Sequence, residues 1–258
     1  MALTPWLIGV GLNVGLNVGL LAIATLAPKK LLTPAGLLHA GALGVILWGT
    51  LGWRGYGVMM FYFLAGSAVT RIGMAEKEAL GIAEKRSGAR GPENVWGSAL
   101  IGTFCALGVY WATWNGSTDA QAWVSLLQLG YVASIGTKLA DTCGTEIGKA
   151  YGQRTFLITT LQAVPRGTEG AVSLEGTVAG IIGSIAIATL AWSVGLISLV
   201  GIGICAIAAF IATNIESLIG ATIEGKVGWL THDVVNILNT LVGAIAAILL
   251  ALALQSAL

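Results

Sequence analysis

Residues 123–152 read WVSLLQLGYVASIGTKLADTCGTEIGKAYG. The first half is apolar enough to lie in a bilayer, and then Lys138, Asp141 and Glu146 arrive within nine residues. Charges at the edge of a hydrocarbon layer are costly, and those that persist there usually pair with one another or serve a site. On a helix, Ser134, Lys138, Asp141 and Thr145 recur at steps of four, three and four, so they share a face. The plainer account is an i,i+3 Lys138–Asp141 ion pair that makes a helix end tolerable. The alternative is a site at the membrane edge, where Gly144 and Gly148 permit close approach of a ligand or a second helix. The segment GTEIGKA imitates a phosphate-binding P-loop. However, it has three residues between its glycines rather than four, ends in Lys-Ala and follows no strand, which excludes a P-loop NTPase.

Composition agrees with a membrane setting. Of 258 residues, 56% are hydrophobic and 10% charged, where a soluble domain carries about 25% charged residues. Mean hydropathy is +0.85. Crossing a bilayer takes roughly 20 apolar residues per helix. Eight such runs fall at about 5–27, 34–52, 55–73, 95–114, 122–142, 172–193, 195–215 and 234–255. The expectation is an all-α polytopic transmembrane bundle of about eight spans, forming one integral membrane domain over residues 1–258. The opening MALTP lacks a basic n-region, so the first run reads as a retained helix rather than a cleaved signal. Cys105, Cys143 and Cys205 show no paired or His-linked spacing and read as small apolar fillers. In GLNVGLNVGL, Gly11, Gly15 and Gly19 form one stripe and Asn13 and Asn17 another, a pattern suited to close helix packing with amide hydrogen bonds. A net charge of +1 gives no hint of a nucleic-acid partner.

Basic residues set topology. With eight spans, only Arg54 of the 13 Lys and Arg residues falls on one side and the other twelve fall opposite. The rich side is expected to be cytoplasmic and both termini to face away from it. The long connections, about 74–94, 148–171 and 216–233, lie on that same face, so loops there are expected to form the working site.

Three further polar clusters share this face. In TTLQAVPRGTEGAVSLEGT, a glycine turn with Arg166, Thr168 and Ser173 precedes a helix start near Ala171 or Val172. Such turns cradle anions, since unpaired N–H groups and the helix dipole act together. Thr168 or Ser173 also suits a helix N-cap, and the two roles are compatible. In RIGMAEKEALGIAEKRSGARGPENVWGS, a short charged helix around Glu76 to Lys85 reads mainly as a solvated face. Arg90 and Asn94 nevertheless sit where the chain re-enters the membrane, and Arg grips phosphate bidentately. In TNIESLIGATIEGKVGWLTHDVVNILNT, Asn214, Glu216 and Ser217 end one span while Asn236 and Asn239 begin the next. These amides and carboxylate suit Mg²⁺ or phosphate coordination, or equally interhelical hydrogen bonds. His232 beside Asp233 reads as a loop residue more readily than as a general base, and His39 as a packing residue.

Three segments carry a resemblance: TKLADTCGTEIGKAYG, ITTLQAVPRGTEGAVSLEGT and EKEALGIAEKRSGARGPENVWGSA. They resemble the phytyl-phosphate kinases of cyanobacteria and plant chloroplasts, part of a broader family of integral membrane proteins. The resemblance runs from about Lys77 to Asn239. Its strongest motifs are DTxxxExG and PRGTEGAxSLEGT, which also look distantly like the CTP-dependent polyprenol kinases. It implies transfer of the terminal phosphoryl group of a nucleoside triphosphate, CTP or ATP, to phytyl monophosphate, giving phytyl diphosphate for tocopherol and phylloquinone synthesis. Mg²⁺ is implied as cofactor, and a cyanobacterial thylakoid or plasma membrane as location. Carried over, the resemblance makes Asp141 and Glu146 metal ligands or metal-orienting groups; Glu216, Asn214 and Asn236, from the last cluster, are further metal candidates. It places nucleotide phosphates on Arg166, Gly167, Thr168 and Gly170, with Ser173 and Asn94 as further phosphate-binding candidates, and gives charge neutralisation to Lys85, Arg90, Lys138 and Lys149. The rival reading is a transporter or flippase of an anionic or lipid-phosphate substrate, which also sets charges among breakable helices.

Overall fold

The computed structural model describes residues 3–26, 30–223 and 227–256, without the side chains of 3–10, 26, 85, 87, 255 and 256. Lys29 and Lys226 of the basic set lie outside the described residues, as does the Lys85 side chain. The helices run α1 (Leu3–Leu26), α2 (Pro34–Thr70), a short α3 (Met74–Ala79), α4 (Pro92–Asn115), α5 (Thr118–Tyr151), α6 (Leu174–Ser193), α7 (Leu199–Thr222) and α8 (His232–Ser256). Among the described residues, α2, α4, α6, α7 and α8 are long and apolar enough to cross a membrane.

The 37 residues of α2 are two arms joined at Gly52, whose φ of 66° and ψ of −162° break the helix. That region of backbone space is essentially open only to glycine. The arms fold back on each other: Trp48 and Tyr56 stack edge to face at 5.3 Å across the bend. Their far ends meet Arg90 together. A Cβ on Gly36 would lie 2.4 Å from the Arg90 carbonyl oxygen, and one on Gly66 would lie 2.7 Å from its guanidinium. Each arm, 34–51 and 53–70, is about 27 Å long at 1.5 Å per residue, close to the thickness of a bilayer core. These arms correspond to the runs expected at 34–52 and 55–73.

α5 occupies the centre and packs on α2, α4, α6, α7 and α8. Every residue from 129 to 140 is buried. A helix segment ringed by other helices needs no lipid-facing side chains, which accounts for the buried Ser134 and Thr137 within its apolar half. Glycine brings α6 against it: a Cβ on Gly176 would lie 2.6 Å from the Gly144 carbonyl oxygen, and one on Gly180 would lie 2.9 Å from that of Ala140.

Two details differ from the sequence-based expectation. The turn before α6 contains a short antiparallel pair, β1 (Thr155–Leu157) and β2 (Ala171–Ser173), so α6 begins at Leu174. The stop is Ser173, whose extended backbone ends the strand and whose Oγ accepts a hydrogen bond from the Gly176 N–H at 3.1 Å. In α1 the packing stripe is the asparagine one. Asn13 Nδ2 donates to the Val45 carbonyl at 3.2 Å, and Asn17 accepts from Tyr56 Oη at 3.2 Å. Gly11, Gly15 and Gly19 have nothing within 4 Å of a Cβ position. The three cysteines are free and buried, and Trp96 Nε1 donates to His39 Nδ1 at 2.9 Å, consistent with packing roles.

Candidate functional site

The end of α2, the start of α4, the C-terminal half of α5, the start of α6, the end of α7 and the start of α8 meet at one end of the bundle. They enclose a cleft of about 570 Å³. Lys138 stands at its base, 8% exposed. Its ammonium donates to Asp141 Oδ2 at 2.5 Å and to Asn236 Oδ1 at 2.6 Å. Asp141 also lies within hydrogen-bond reach of the Glu216 carboxyl, with His232 near enough to act on its charge. Glu216 Oε2 in turn accepts from Asn239 Nδ2 at 2.5 Å. The i,i+3 ion pair therefore exists, but it is one segment of a polar chain linking α5, α7 and α8.

Glu146 lines the same cleft with a different partner. Five residues beyond Asp141, it lies about 140° further round α5. It bonds Lys77, which is fully buried and also donates to the Thr70 carbonyl at 2.8 Å. The carboxyl that converges with Asp141 is Glu216, not Glu146. Lys77 was not singled out from sequence. It lies in a charged run that reads as solvated, and nothing local marks its partner 69 residues away.

The phosphate candidates divide. Lys149, Gly167, Thr168, Gly170, Ser173, Arg90, Asn94, Asn214 and Asn236 all line the cleft. Arg166 does not: it donates to the Ala150 carbonyl at 2.9 Å and to Glu76 at 3.1 Å, closing the C-terminal end of α5. Gly167 and Gly170 have φ of +83° and +72°. A Cβ on Gly170 would lie 2.5 Å from Ala221, so the turn seats on the end of α7. Thr168 Oγ1 folds back to the Pro165 carbonyl at 2.8 Å. The N–H groups of Gly167, Glu169 and Gly170 make no hydrogen bond among the described residues. Arg90 donates to Tyr62 Oη at 2.9 Å and lies over the Tyr62 ring at 5.0 Å. Its backbone ties the α1–α2 connection to α4 through Thr33 N–H to Arg90 O at 3.0 Å and Arg90 N–H to Leu31 O at 2.9 Å. Asn94 Oδ1 accepts from the Gly91 N–H and from Arg86 Nη2, each at 3.0 Å. Arg86, which also bonds Glu93, brings to the mouth a cation that the sequence reading did not place there.

Charge bears on whether a metal fits. The cleft is lined by seven carboxyl groups against four cations, Arg86, Arg90, Lys138 and Lys149. A polyphosphate cannot enter such a site without additional positive charge. The Lys138 ammonium already supplies one cation to the Asp141 and Glu216 carboxyl groups. Among the described residues no three His, Cys, Asp or Glu side chains converge on a point. Mg²⁺ is commonly held by one or two carboxylates plus substrate phosphates, and the Asp141–Glu216 pair matches that pattern.

A family model for the integral membrane protein family DUF92 matches residues 17–244. The chain belongs to this family. It is 60% identical over 244 residues to an uncharacterized membrane protein of Synechocystis, covering 95% of this chain and 90% of that one. It is 45% identical over 223 residues to protein VTE6, chloroplastic, of Arabidopsis thaliana, covering 83% of this chain and 65% of the plant protein. An uncharacterized membrane protein of Methanocaldococcus jannaschii is 30% identical over 239 residues, 90% of this chain and 93% of its own. The cyanobacterial and chloroplastic relatives support the family resemblance drawn from the motifs. No solved structure matches the chain.

Proposed function

We propose that this DUF92 member is an isoprenyl-phosphate kinase that converts phytyl monophosphate to phytyl diphosphate at the expense of CTP or ATP. The observation that carries the reading is the Asp141–Glu216 carboxyl pair in one cleft with four cations and a glycine turn in which the Gly167, Glu169 and Gly170 N–H groups make no hydrogen bond among the described residues. Phosphoryl transfer is catalysed mostly by positioning and charge neutralisation, and it needs this set of groups.

In the transfer, an oxygen of the phytyl phosphate forms a bond to the terminal phosphorus of the nucleotide as the bond from that phosphorus to the β,γ-bridging oxygen breaks. The nucleoside diphosphate leaves. The acceptor is already anionic, so no general base is required. Asp141 and Glu216 would hold Mg²⁺, with Asn214 and Asn236 beside them; the ion supplies positive charge to the phosphate oxygens. Lys138 holds Asp141 in place and adds a cation at the cleft base. The turn 167–170 offers N–H groups to nucleotide phosphates, and Lys149 and Arg90 balance the charge of the transferred group. Lys85 belongs to the proposed set by its position in the EKRSGAR segment.

The proposed setting is eight crossings, counting the arms of α2 separately, with the cleft on the cytoplasmic face of a cyanobacterial thylakoid or plasma membrane and both termini opposite. The basic-residue asymmetry supports it. Transporter sites use helix breaks beside the substrate. Here the break at Gly52 lies midway along α2, where its two arms join, away from their Arg90 ends and the cleft, which weighs against transport. The test is purified protein with phytyl phosphate, Mg²⁺ and each of CTP, ATP, UTP and GTP. Phytyl diphosphate should form with at least one nucleotide and fall at least about a hundredfold in Asp141→Asn. Full turnover in that variant would reduce Lys138–Asp141 to a structural ion pair.

A further inference from the structure

The cleft is not equally deep on all sides. Along α4 it reaches Ser98 and along α8 Asn236, roughly 9 and 6 Å from those helix starts at 1.5 Å per residue. Along α6 it runs from Ser173 to Ser184, and along α7 from Gly220 back to Phe210, about 15 Å each by the same rise. Toward the deep end the lining of these two helices includes the apolar Ile181 on α6 and Phe210 on α7, with Ser184 beyond Ile181. Ile181 and Phe210 line the cleft and are 37% and 46% exposed, and their chain neighbours Ile182 and Ile211 are exposed without lining it. The cleft therefore opens sideways at this seam.

The packing explains why the seam parts here. The glycine contacts at Gly176 and Gly180 hold α6 on α5, while Glu216–Asn239 holds α7 to α8. Deeper, the two helices close: Ile187, Ala188 and Ala191 on α6 and Ile204, Cys205 and Ala208 on α7 are all buried. Above, the seam is roofed where Gly170 seats on Ser217 and Ala221. The result is a window with polar groups toward the cleft and the apolar Ile181 and Phe210 at its walls.

We propose that this window between α6 and α7 is the subsite for the hydrocarbon tail of a long-chain lipid phosphate, which slides in sideways with its headgroup toward Lys138 and the glycine turn. Ile181 and Phe210 are its specificity-determining walls. The proposal rests on the kinase reading for its headgroup chemistry, but the window can be tested without turnover.

The experiment is photo-crosslinking in lipid nanodiscs with phytyl phosphate carrying a diazirine at its tail end, mapped by mass spectrometry. It is paired with kinetics on phytyl phosphate and isopentenyl phosphate at saturating nucleotide. Labels competed by unmodified phytyl phosphate should fall within residues 177–185 and 207–214. Ile181→Trp, at an exposed position that tolerates bulk, should raise KM for phytyl phosphate about tenfold while leaving isopentenyl phosphate nearly unchanged. Ile182→Trp, on the outer face and 62% exposed, should change neither. Labels on α1, α2 or α4, no competable labelling, or equal KM changes for both substrates would overturn the window. Labelling at the seam without turnover would keep the window and refute the kinase, whereas turnover with labels elsewhere would do the reverse.

Discussion

Lys77 illustrates how far a single side chain can depart from its sequence setting. It sits among glutamates in a run that looks solvated, yet it is fully buried against Glu146 and the end of α2. Removing one partner of a buried pair leaves an uncompensated charge, so Lys77→Ala should cost about 3–5 kcal/mol. Thermal unfolding in detergent would show it as a lowered midpoint, partly restored in Lys77→Met combined with Glu146→Gln. Arg166 makes the opposite case. It was expected on nucleotide phosphate but closes the end of α5. Arg166→Ala should therefore lower stability by about 0.3–1 kcal/mol, as for a cation at a helix C-terminus, and leave kcat within a few-fold. Lys149→Ala, at the cleft wall, should instead raise the nucleotide KM. Equal kinetic damage from both substitutions would return Arg166 to the site.

At the level of elements, backbone conformation decides two junctions. Gly52 turns α2 into a hairpin, and a side chain there would face a positive φ of 66°. Gly52→Ala should cost about 1–3 kcal/mol, read as a drop in the unfolding midpoint. Gly170→Ala meets both a positive φ and the end of α7. It should lift the turn from α7 and lower turnover while circular dichroism still reports an intact helical bundle. The apolar runs were legible because hydrocarbon demands them, and so was the glycine turn before α6. The strand pair 155–157 with 171–173 was not, because three residues carry no periodicity. Nor was the Asp141–Glu216 contact, because sequence spacing within one helix fixes only which residues share its face. Glu146 looked equivalent to Asp141 in the DTxxxExG motif, and only the packing of α3 and α7 separates their partners.

For the whole molecule, the charged residues describe one working end. The buried native cysteines leave a quiet background for labelling. Single cysteines at the exposed positions Gln153 and Asn115 should therefore report sidedness cleanly. In oriented vesicles, an impermeant maleimide should reach Gln153→Cys from the cytoplasmic face and Asn115→Cys from the opposite one; labelling of both from one side would refute the proposed topology. Phosphoryl transfer at the cleft is tested most directly with nucleotide labelled in its terminal phosphate, phytyl phosphate and Mg²⁺. Label should appear in phytyl diphosphate with the intact protein and be lost in folded Asp141→Asn. Label released only as inorganic phosphate, or phytyl phosphate carried across sealed vesicles without acquiring label, would contradict the kinase.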